Sequence, residues 1–226
     1  MRERSDLAGS LRFAALLTLA GGLQDSYSYL LRGEVFANAQ TGNIVLLAHN
    51  LASGNWEVAS NYLLPLLSFI LGVYVTVPIL LRCNRTKRLS HLELILLIEL
   101  ILLFYVGFLP SKFDVLANSL MSFTCAMQVN TFKTFKGLPA ATTMCIGNIR
   151  SGTDLLARYV STGEKAYFKQ SSYYFTIIFI FFSGAALGSL LKSFLGLKSI
   201  WVSALFLLVA FLLLFHERNT RGTKNS

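Results

Sequence analysis

Charged residues are scarce in this chain. Asp, Glu, Lys and Arg make up 14% of its 226 residues, against about 25% in soluble domains, and the mean hydropathy is +0.57. This composition excludes an ordinary soluble domain and predicts an integral membrane protein whose main partner is the lipid bilayer. The net charge of +9 is dispersed between apolar runs rather than gathered on one face, so no nucleic-acid partner is expected.

Cysteine is also scarce, and catalytic motifs are missing. Cys83, Cys125 and Cys145 show no CxxC or Cys/His spacing and cannot all pair, which argues against a disulfide framework and against a zinc site. The sequence contains no GxSxG, no HExxH and no Gly-rich phosphate loop after a strand. We therefore expect neither an enzyme nor a bound metal or cofactor.

Long apolar runs are abundant, and a helix needs about 20 such residues to cross a bilayer. Gln24 and Asp25 interrupt the region where a signal peptide would be cleaved, so the N-terminal run is interpreted as the first span. Two further segments, 37–53 and 142–161, are helical in apolar content but carry polar residues, and each could be a polar span or a re-entrant segment. The six predicted spans are 11–31, 62–81, 89–109, 115–132, 173–191 and 199–215.

Counting basic residues distinguishes the two topologies, because cytoplasmic loops carry the excess of Lys and Arg. Eight spans would put the cluster Arg82, Arg85, Lys87 and Arg88 outside. Six spans with two re-entrant segments put 16 of the 20 basic residues inside. We therefore predict an all-α polytopic fold with six transmembrane helices, two polar re-entrant or broken helices and both termini cytoplasmic. The four basic residues left outside are Arg32, Lys112, Lys192 and Lys198.

A Gly-Asn-Ile core occurs twice in the chain, at 42–44 and 147–149. Gln128 follows Gln24 by 104 residues, and Asn148 follows Asn43 by 105. These offsets indicate an internal duplication within one membrane domain, with residues 1–110 as the first repeat and 111–226 as the second. Each repeat holds three spans, and an odd number of spans inverts the second copy relative to the first.

The repeated cores predict a binding site at mid-membrane. Glycine permits a break in the backbone, and the first N–H groups of the helix that follows are free to face a ligand. Two helix N-termini that meet there would favour an anion or a carboxylate, although small polar residues also serve helix packing. The predicted lining residues are Gln24, Asn38, Gln40, Thr41, Asn43, Gln128, Thr143, Asn148 and Arg150.

Three acidic residues are candidates for a coupling or counter-charge role. Asp25 lies well inside the first span, where a carboxylate costs at least about 2.5 kcal/mol on insertion scales, whereas its repeat position holds Val129. Asp25 could bind a proton or cation, or could pair with Arg150 to hold the halves together. Asp154 follows Arg150 by four residues on the same helix. Glu99 is a proton-relay candidate that could equally make an interhelical hydrogen bond.

The motifs at 22–27 and 35–43 resemble the YoaK family of bacterial membrane proteins. The first runs from Gly22 to Tyr27 as GLQDSY, and the second from Val35 to Asn43 as VFANAQTGN. The second half matches more loosely. The resemblance covers nearly the whole chain and implies a bacterial inner-membrane protein of about six spans, in a family defined by a domain of unknown function and with no known substrate.

These features together predict a small secondary transporter or channel-like permease for a small anionic or zwitterionic solute. The alternative is a membrane scaffold or regulatory subunit that binds a partner helix through the polar segments. A membrane-embedded enzyme acting on a lipid would need a reactive group near Asp25 or Glu99. A symmetric homodimer is the simplest oligomer for a chain of this size.

Overall fold

A computed structural model describes residues 7–82 and 90–224, with side chains described for 7–81 and 90–220. The predicted basic cluster at 82–88, Cys83 and the tail residues from Arg221 onward lie outside the described side chains. Over the described range the chain is almost entirely helical. The helices are α1 Leu11–Leu31, α2 Gln40–Ala52, α3 Trp56–Arg82, α4 His91–Val106, α5 Asp114–Thr131, α6 Cys145–Thr162, α7 Lys165–Leu195 and α8 Ile200–Lys224.

Each predicted span and each polar segment coincides with one of these helices. Local capping sets several boundaries: Ser10 accepts a hydrogen bond from the Phe13 N–H at the start of α1 (3.3 Å). At the start of α4, Ser90 and Glu93 form a reciprocal capping box. The helices α3 and α7 begin earlier than their apolar cores, because polar residues extend each helix beyond the hydrophobic stretch.

Two stretches of the described chain are long and apolar enough to cross a membrane, Trp56–Leu81 and Lys165–Thr220. The second stretch contains both α7 and α8. The helix α2 has only 13 residues, which at 1.5 Å per residue extends about 20 Å and is too short for a hydrocarbon core of about 30 Å. This length is compatible with the broken or re-entrant helix predicted for segment 37–53.

Helix packing follows one scheme in the two halves of the chain. The helix α1 packs on α7 and α8, and α5 packs on α3 and α4, which is the same arrangement with the halves exchanged. Each short polar helix lies on the long helix that follows it, α2 on α3 and α6 on α7, and α4 contacts α8 where the halves meet.

Close glycine contacts show the same correspondence in detail. A Cβ on Gly72 would meet the carbonyl oxygen of Phe123, and one on Gly184 would meet that of Leu19. Because Phe123 follows Leu19 by 104 residues, Gly72 and Gly184 occupy matching positions 112 residues apart. We call residues at matching positions of the two halves repeat partners. Their separation is 104 positions between α1 and α5, 105 around the starts of α2 and α6, and 112 between α3 and α7.

Arg32 directly follows the last residue of α1, in the loop that was predicted to lie outside, and its side chain is fully buried there. It donates to Asp114 Oδ1 (2.8 Å), to the Tyr27 hydroxyl (2.9 Å) and to the carbonyls of Val106 and Leu109 (3.0 and 2.8 Å). Counting charges along the chain does not reveal this burial, which is possible because a carboxylate and backbone carbonyls converge on the guanidinium.

A short β-hairpin precedes α6 and was not predicted. Its strands, Thr134–Phe135 and Leu138–Pro139, pair antiparallel. Lys136 and Gly137 form the turn with φ of +49° and +77°, the left-handed conformation typical of two-residue hairpin turns. Strands of two residues are too short to produce an alternating pattern in the sequence.

Candidate functional site

A buried asparagine holds the loop that leads into each short polar helix. Asn43 donates to the Phe36 carbonyl (2.8 Å) and accepts from the Phe36 N–H (3.0 Å). Its repeat partner Asn148 donates to the Ala141 carbonyl, also seven residues upstream, at 2.7 Å. The two asparagines of the Gly-Asn-Ile cores thus shape the entry loops of α2 and α6. Neither of them lines the cavity that these loops enclose.

A cavity of about 360 Å³ lies between the start of α2 and the start of α6. Its twelve lining residues form six pairs of repeat partners, so matching positions of the two halves build it. The pairs are Asp25 and Val129, Asn38 and Thr143, Ala39 and Met144, Gln40 and Cys145, Thr41 and Ile146, and Phe69 and Phe181.

The two sides of this central cavity differ in chemistry. The first half contributes most of the polar groups, from Asp25, Asn38, Gln40 and Thr41, whereas the second half contributes mainly apolar side chains. The ring faces of Phe69 and Phe181 belong to the apolar part. The cavity therefore has a polar side and an apolar side. Matching positions in a repeat would by themselves predict two similar sides.

Asp25 and Asn38 form the polar end of the cavity. Asp25 Oδ1 accepts the backbone N–H of Asn38 at 2.7 Å, and the Asn38 side-chain nitrogen donates to the Gly21 carbonyl at 3.0 Å. Asn38 Oδ1 is buried and has no hydrogen-bond partner among the described residues. No Lys or Arg within the described side chains forms an ion pair with Asp25.

Gln24, Gln128 and Glu99 lie behind the cavity rather than on its wall. The Gln24 amide donates to Ser203 Oγ at 3.0 Å. Because a carboxylate can only accept, the Gln128 amide is assigned with its nitrogen toward Glu99, 2.8 and 3.2 Å from the two carboxylate oxygens, and with its oxygen accepting from Thr142 Oγ1 at 3.1 Å. Since Ser203 follows Glu99 by 104 residues, the two glutamines make matching contacts, and Glu99 is engaged in an interhelical hydrogen bond.

Arg150 and Asp154 lie on the exposed face of α6, away from the cavity. Asp154 Oδ2 pairs with Arg158 at 2.8 Å, and both side chains are more than half exposed. The pairing of Arg150 with Asp25 or with Asp154, which the sequence left open, does not occur within the described part of the chain. The reason is that Arg150 and Asp154 point away from the face of α6 that packs on α7.

A second pocket of about 510 Å³ opens beside Lys133 and Ala141. It shares Phe69, Val129 and Met144 with the central cavity, so these three side chains separate the two spaces. The remaining lining residues of this pocket belong mostly to the second half of the chain.

The matching position on the first-half side is filled by aromatic rings. Tyr29 is the repeat partner of Lys133, and Phe36 is that of Ala141. The Tyr29 and Phe36 rings stack with centroids 4.7 Å apart, and Phe36 also packs against Gly42. Two stacked rings thus stand at the positions that Lys133 and Ala141 hold in the second half.

Several residues at the site were not predicted. Phe69, Phe181 and Met144 were overlooked because apolar residues in apolar helices carry no signal of their own. Ser122 was missed although its hydroxyl donates to the Ala37 carbonyl (3.1 Å) and accepts from Gln40 (3.2 Å). The 112-residue offset that pairs Phe69 with Phe181 appears only in the packing.

Comparison with known proteins places the chain among membrane proteins of unknown function. Residues 13–213 match the family described as protein of unknown function DUF1275. The chain is 29% identical over 144 residues to the UPF0700 transmembrane protein YoaK of Bacillus subtilis (strain 168), and this match spans 61% of the chain and 63% of that relative. No solved structure matches. The chain is a transmembrane protein and belongs to the DUF1275 family, as its first-half motifs indicated.

Proposed function

We propose that the protein is a small secondary transporter or channel-like permease in which two inverted repeats enclose a midplane site for a small anionic or zwitterionic solute. The observation that carries this proposal is the central cavity, whose wall consists of six pairs of repeat partners beside two broken-helix starts. Transporters built from inverted repeats bind their solutes in this position, between discontinuous helices at the repeat interface. A volume of about 360 Å³ suits a small solute.

The unequal approaches to the cavity support alternating access. On the second-half side, the pocket beside Lys133 reaches the cavity with only Phe69, Val129 and Met144 in between. On the first-half side, the stack of Tyr29 on Phe36 closes the matching route. If the second half adopted the closed arrangement and the first half the open one, the first-half side would open and the other would close. This exchange is possible because matching positions line both routes.

The distribution of basic residues supports an orientation for this cycle. With 16 of the 20 Lys and Arg residues on one side, that side is cytoplasmic under the positive-inside rule. Both termini and the pocket beside Lys133 then face the cytoplasm of a bacterial cell. The arrangement described here corresponds to an inward-facing state of a transporter in the inner membrane.

A native cysteine allows a direct test of water access. Cys145 lines the cavity, whereas Cys125 is buried behind the lining residue Thr143. In protein carrying Cys83→Ser and Cys125→Ser, we expect a membrane-impermeant thiol reagent to label Cys145 in inside-out vesicles. The matched control carries Cys83→Ser and Cys145→Ser, and its remaining Cys125 should stay unlabelled.

Labelling at Cys145 that differs between inside-out and right-side-out vesicles supports a solute pathway. If Cys145 stays as unreactive as Cys125 from both sides of the membrane, the cavity is dry and the transporter proposal fails. That outcome would favour the scaffold or regulatory subunit, which needs no water in the cavity.

A further inference from the structure

We propose that the central cavity binds a zwitterion with an ammonium group, a carboxylate group and an apolar body. The ammonium lies at Asp25 and Asn38, and the carboxylate lies at the start of α6. This inference rests on the proposed transport function and deepens it by naming the solute class.

Asp25 and Asn38 present acceptors to the cavity. Asp25 has no basic partner within the described side chains, and Asn38 Oδ1 lacks a hydrogen-bond donor although the residue is only 6% exposed. A buried acceptor without a donor is costly, and a carboxylate in a membrane is normally paired. An ammonium, with three N–H donors and a positive charge, satisfies both groups at once.

The starts of α2 and α6 differ because only the first is supplied with a carboxylate. Asp25 accepts the Asn38 N–H at 2.7 Å in front of α2, so the positive end of that helix is already compensated from within the chain. The repeat partner of Asp25 is the apolar Val129. Met144, the residue before α6, makes no side-chain capping bond either.

The start of α6 is therefore the donor end of the cavity. Thr143, Met144, Cys145 and Ile146 all line it, and α6 has 18 residues. The first N–H groups of a helix have no intrahelical partner and attract an anion. A carboxylate placed there offsets the positive end of α6 in the way that Asp25 offsets the positive end of α2.

Singly charged solutes fit this cavity less well. A simple anion would meet the Asp25 carboxylate, and the exposed Arg150 does not line the cavity to offset that charge. A simple cation would leave the start of α6 without an anion. Phe69 and Phe181 add apolar surface to the wall, which suits the side chain of an aliphatic or aromatic amino acid.

Three probes with the same apolar body test this assignment. Binding to the purified full-length protein in detergent is measured by calorimetry with leucine, 4-methylpentanoate and 3-methylbutylamine, which differ only in their charged groups. We expect leucine to bind at least about tenfold more tightly than either singly charged analogue. An analogue that binds as well as leucine, or leucine that does not bind, overturns the assignment.

Variants at Val129 identify the carboxylate end. Val129→Asp places a carboxylate at the start of α6, as Asp25 does for α2, and should weaken leucine binding at least tenfold without weakening the binding of the amine. Val129→Asn has the same shape without the charge and should stay within about threefold of wild type. Equal effects of Asp and Asn would overturn the electrostatic argument.

Leucine binding and Cys145 labelling together distinguish the solute class from the transport function. Cys145 that is labelled by the thiol reagent while leucine fails to bind overturns the solute class and leaves the transport function standing. Leucine binding together with an unreactive Cys145 supports the solute class and overturns the transport function, since the site would then exist without a pathway. If Val129→Asp does not fold, the comparison of the three probes on wild-type protein still decides the question.

Discussion

The carboxylate of Asp25 accepts a 2.7 Å hydrogen bond from the backbone N–H of Asn38. A charged side chain in the middle of α1 thereby holds the chain that leads into α2. Because Val129 stands at the matching position of the second half, only one of the two helix starts is held in this way. This difference, together with those at Asn38, Gln40 and Thr41, makes a cavity of matching positions polar on one side.

Removing the Asp25 acceptor should destabilise the protein. Asp25→Ala leaves the Asn38 N–H without its partner, and we expect a loss of about 0.5 to 3 kcal/mol in the free energy of unfolding. Asp25→Asn retains an acceptor oxygen and should lose less. Reversible unfolding by SDS in mixed micelles measures both, with the exposed Glu57→Gln as a control that should unfold like wild type. Equal stability of Asp25→Ala and Asp25→Asn would contradict the role of this bond.

The close contact between α7 and α1 should not tolerate a methyl group. A Cβ on Gly184 would meet the Leu19 carbonyl, so Gly184→Ala should cost about 1 to 3 kcal/mol. Gly147 has nothing within 4 Å of such a Cβ, and Gly147→Ala should be neutral or stabilising by up to about 1 kcal/mol. Thermal unfolding of the two variants in the same detergent should therefore move in different directions, and similar losses would show that the α1–α7 contact is looser than described.

Arg32 should not be replaceable by lysine. Its guanidinium bonds Asp114, Tyr27 and two backbone carbonyls simultaneously, and an ammonium cannot reproduce that planar geometry. We expect Arg32→Lys to lose about 2 kcal/mol or more of stability. The control Arg158→Lys changes an exposed pair with Asp154 and should have no measurable effect. If both variants unfold alike, the buried network does not hold α1 to the α4–α5 connection.

The stack of Tyr29 on Phe36 should control access from the first-half side. In protein with Cys145 as its only cysteine, Phe36→Ala should increase the labelling rate of Cys145 by an impermeant reagent in right-side-out vesicles several-fold. Phe168→Ala removes a comparable ring from the exposed Tyr159–Phe168 pair and should leave the rate unchanged. A rate for Phe36→Ala equal to that of the control would exclude the stack as a barrier.

Helix positions were largely predictable from the sequence. Apolar runs and their polar interruptions placed all eight helices, because a helix in a membrane must satisfy its backbone internally and shows this as a long apolar stretch. Repeated offsets of 104 and 105 residues also placed Asp25, Asn38, Gln40 and Thr41 together, and these residues do line the central cavity.

Side-chain partners were less predictable. Arg32 lies in a loop, as expected, but its side chain is buried against Asp114, and Arg150, expected in the site, is exposed. Periodicity and charge counts describe a residue's position along the chain, whereas its partners depend on which helix faces pack together. Asn43 illustrates this, since a polar residue beside a helix start could have bound a solute but instead bonds the Phe36 backbone.

The sequence by itself determined that this is a helical membrane protein with two matching halves, since apolar composition and residue offsets are properties of the chain alone. Only the tertiary structure decided that Asp25 and Val129 face one cavity, that Phe69 and Phe181 complete it, and that a second pocket lies beside it. The physical reason is that these relationships depend on packing between helices distant in sequence. The 112-residue match of α3 with α7 is carried by their glycine contacts with α5 and α1 and leaves no motif in the sequence.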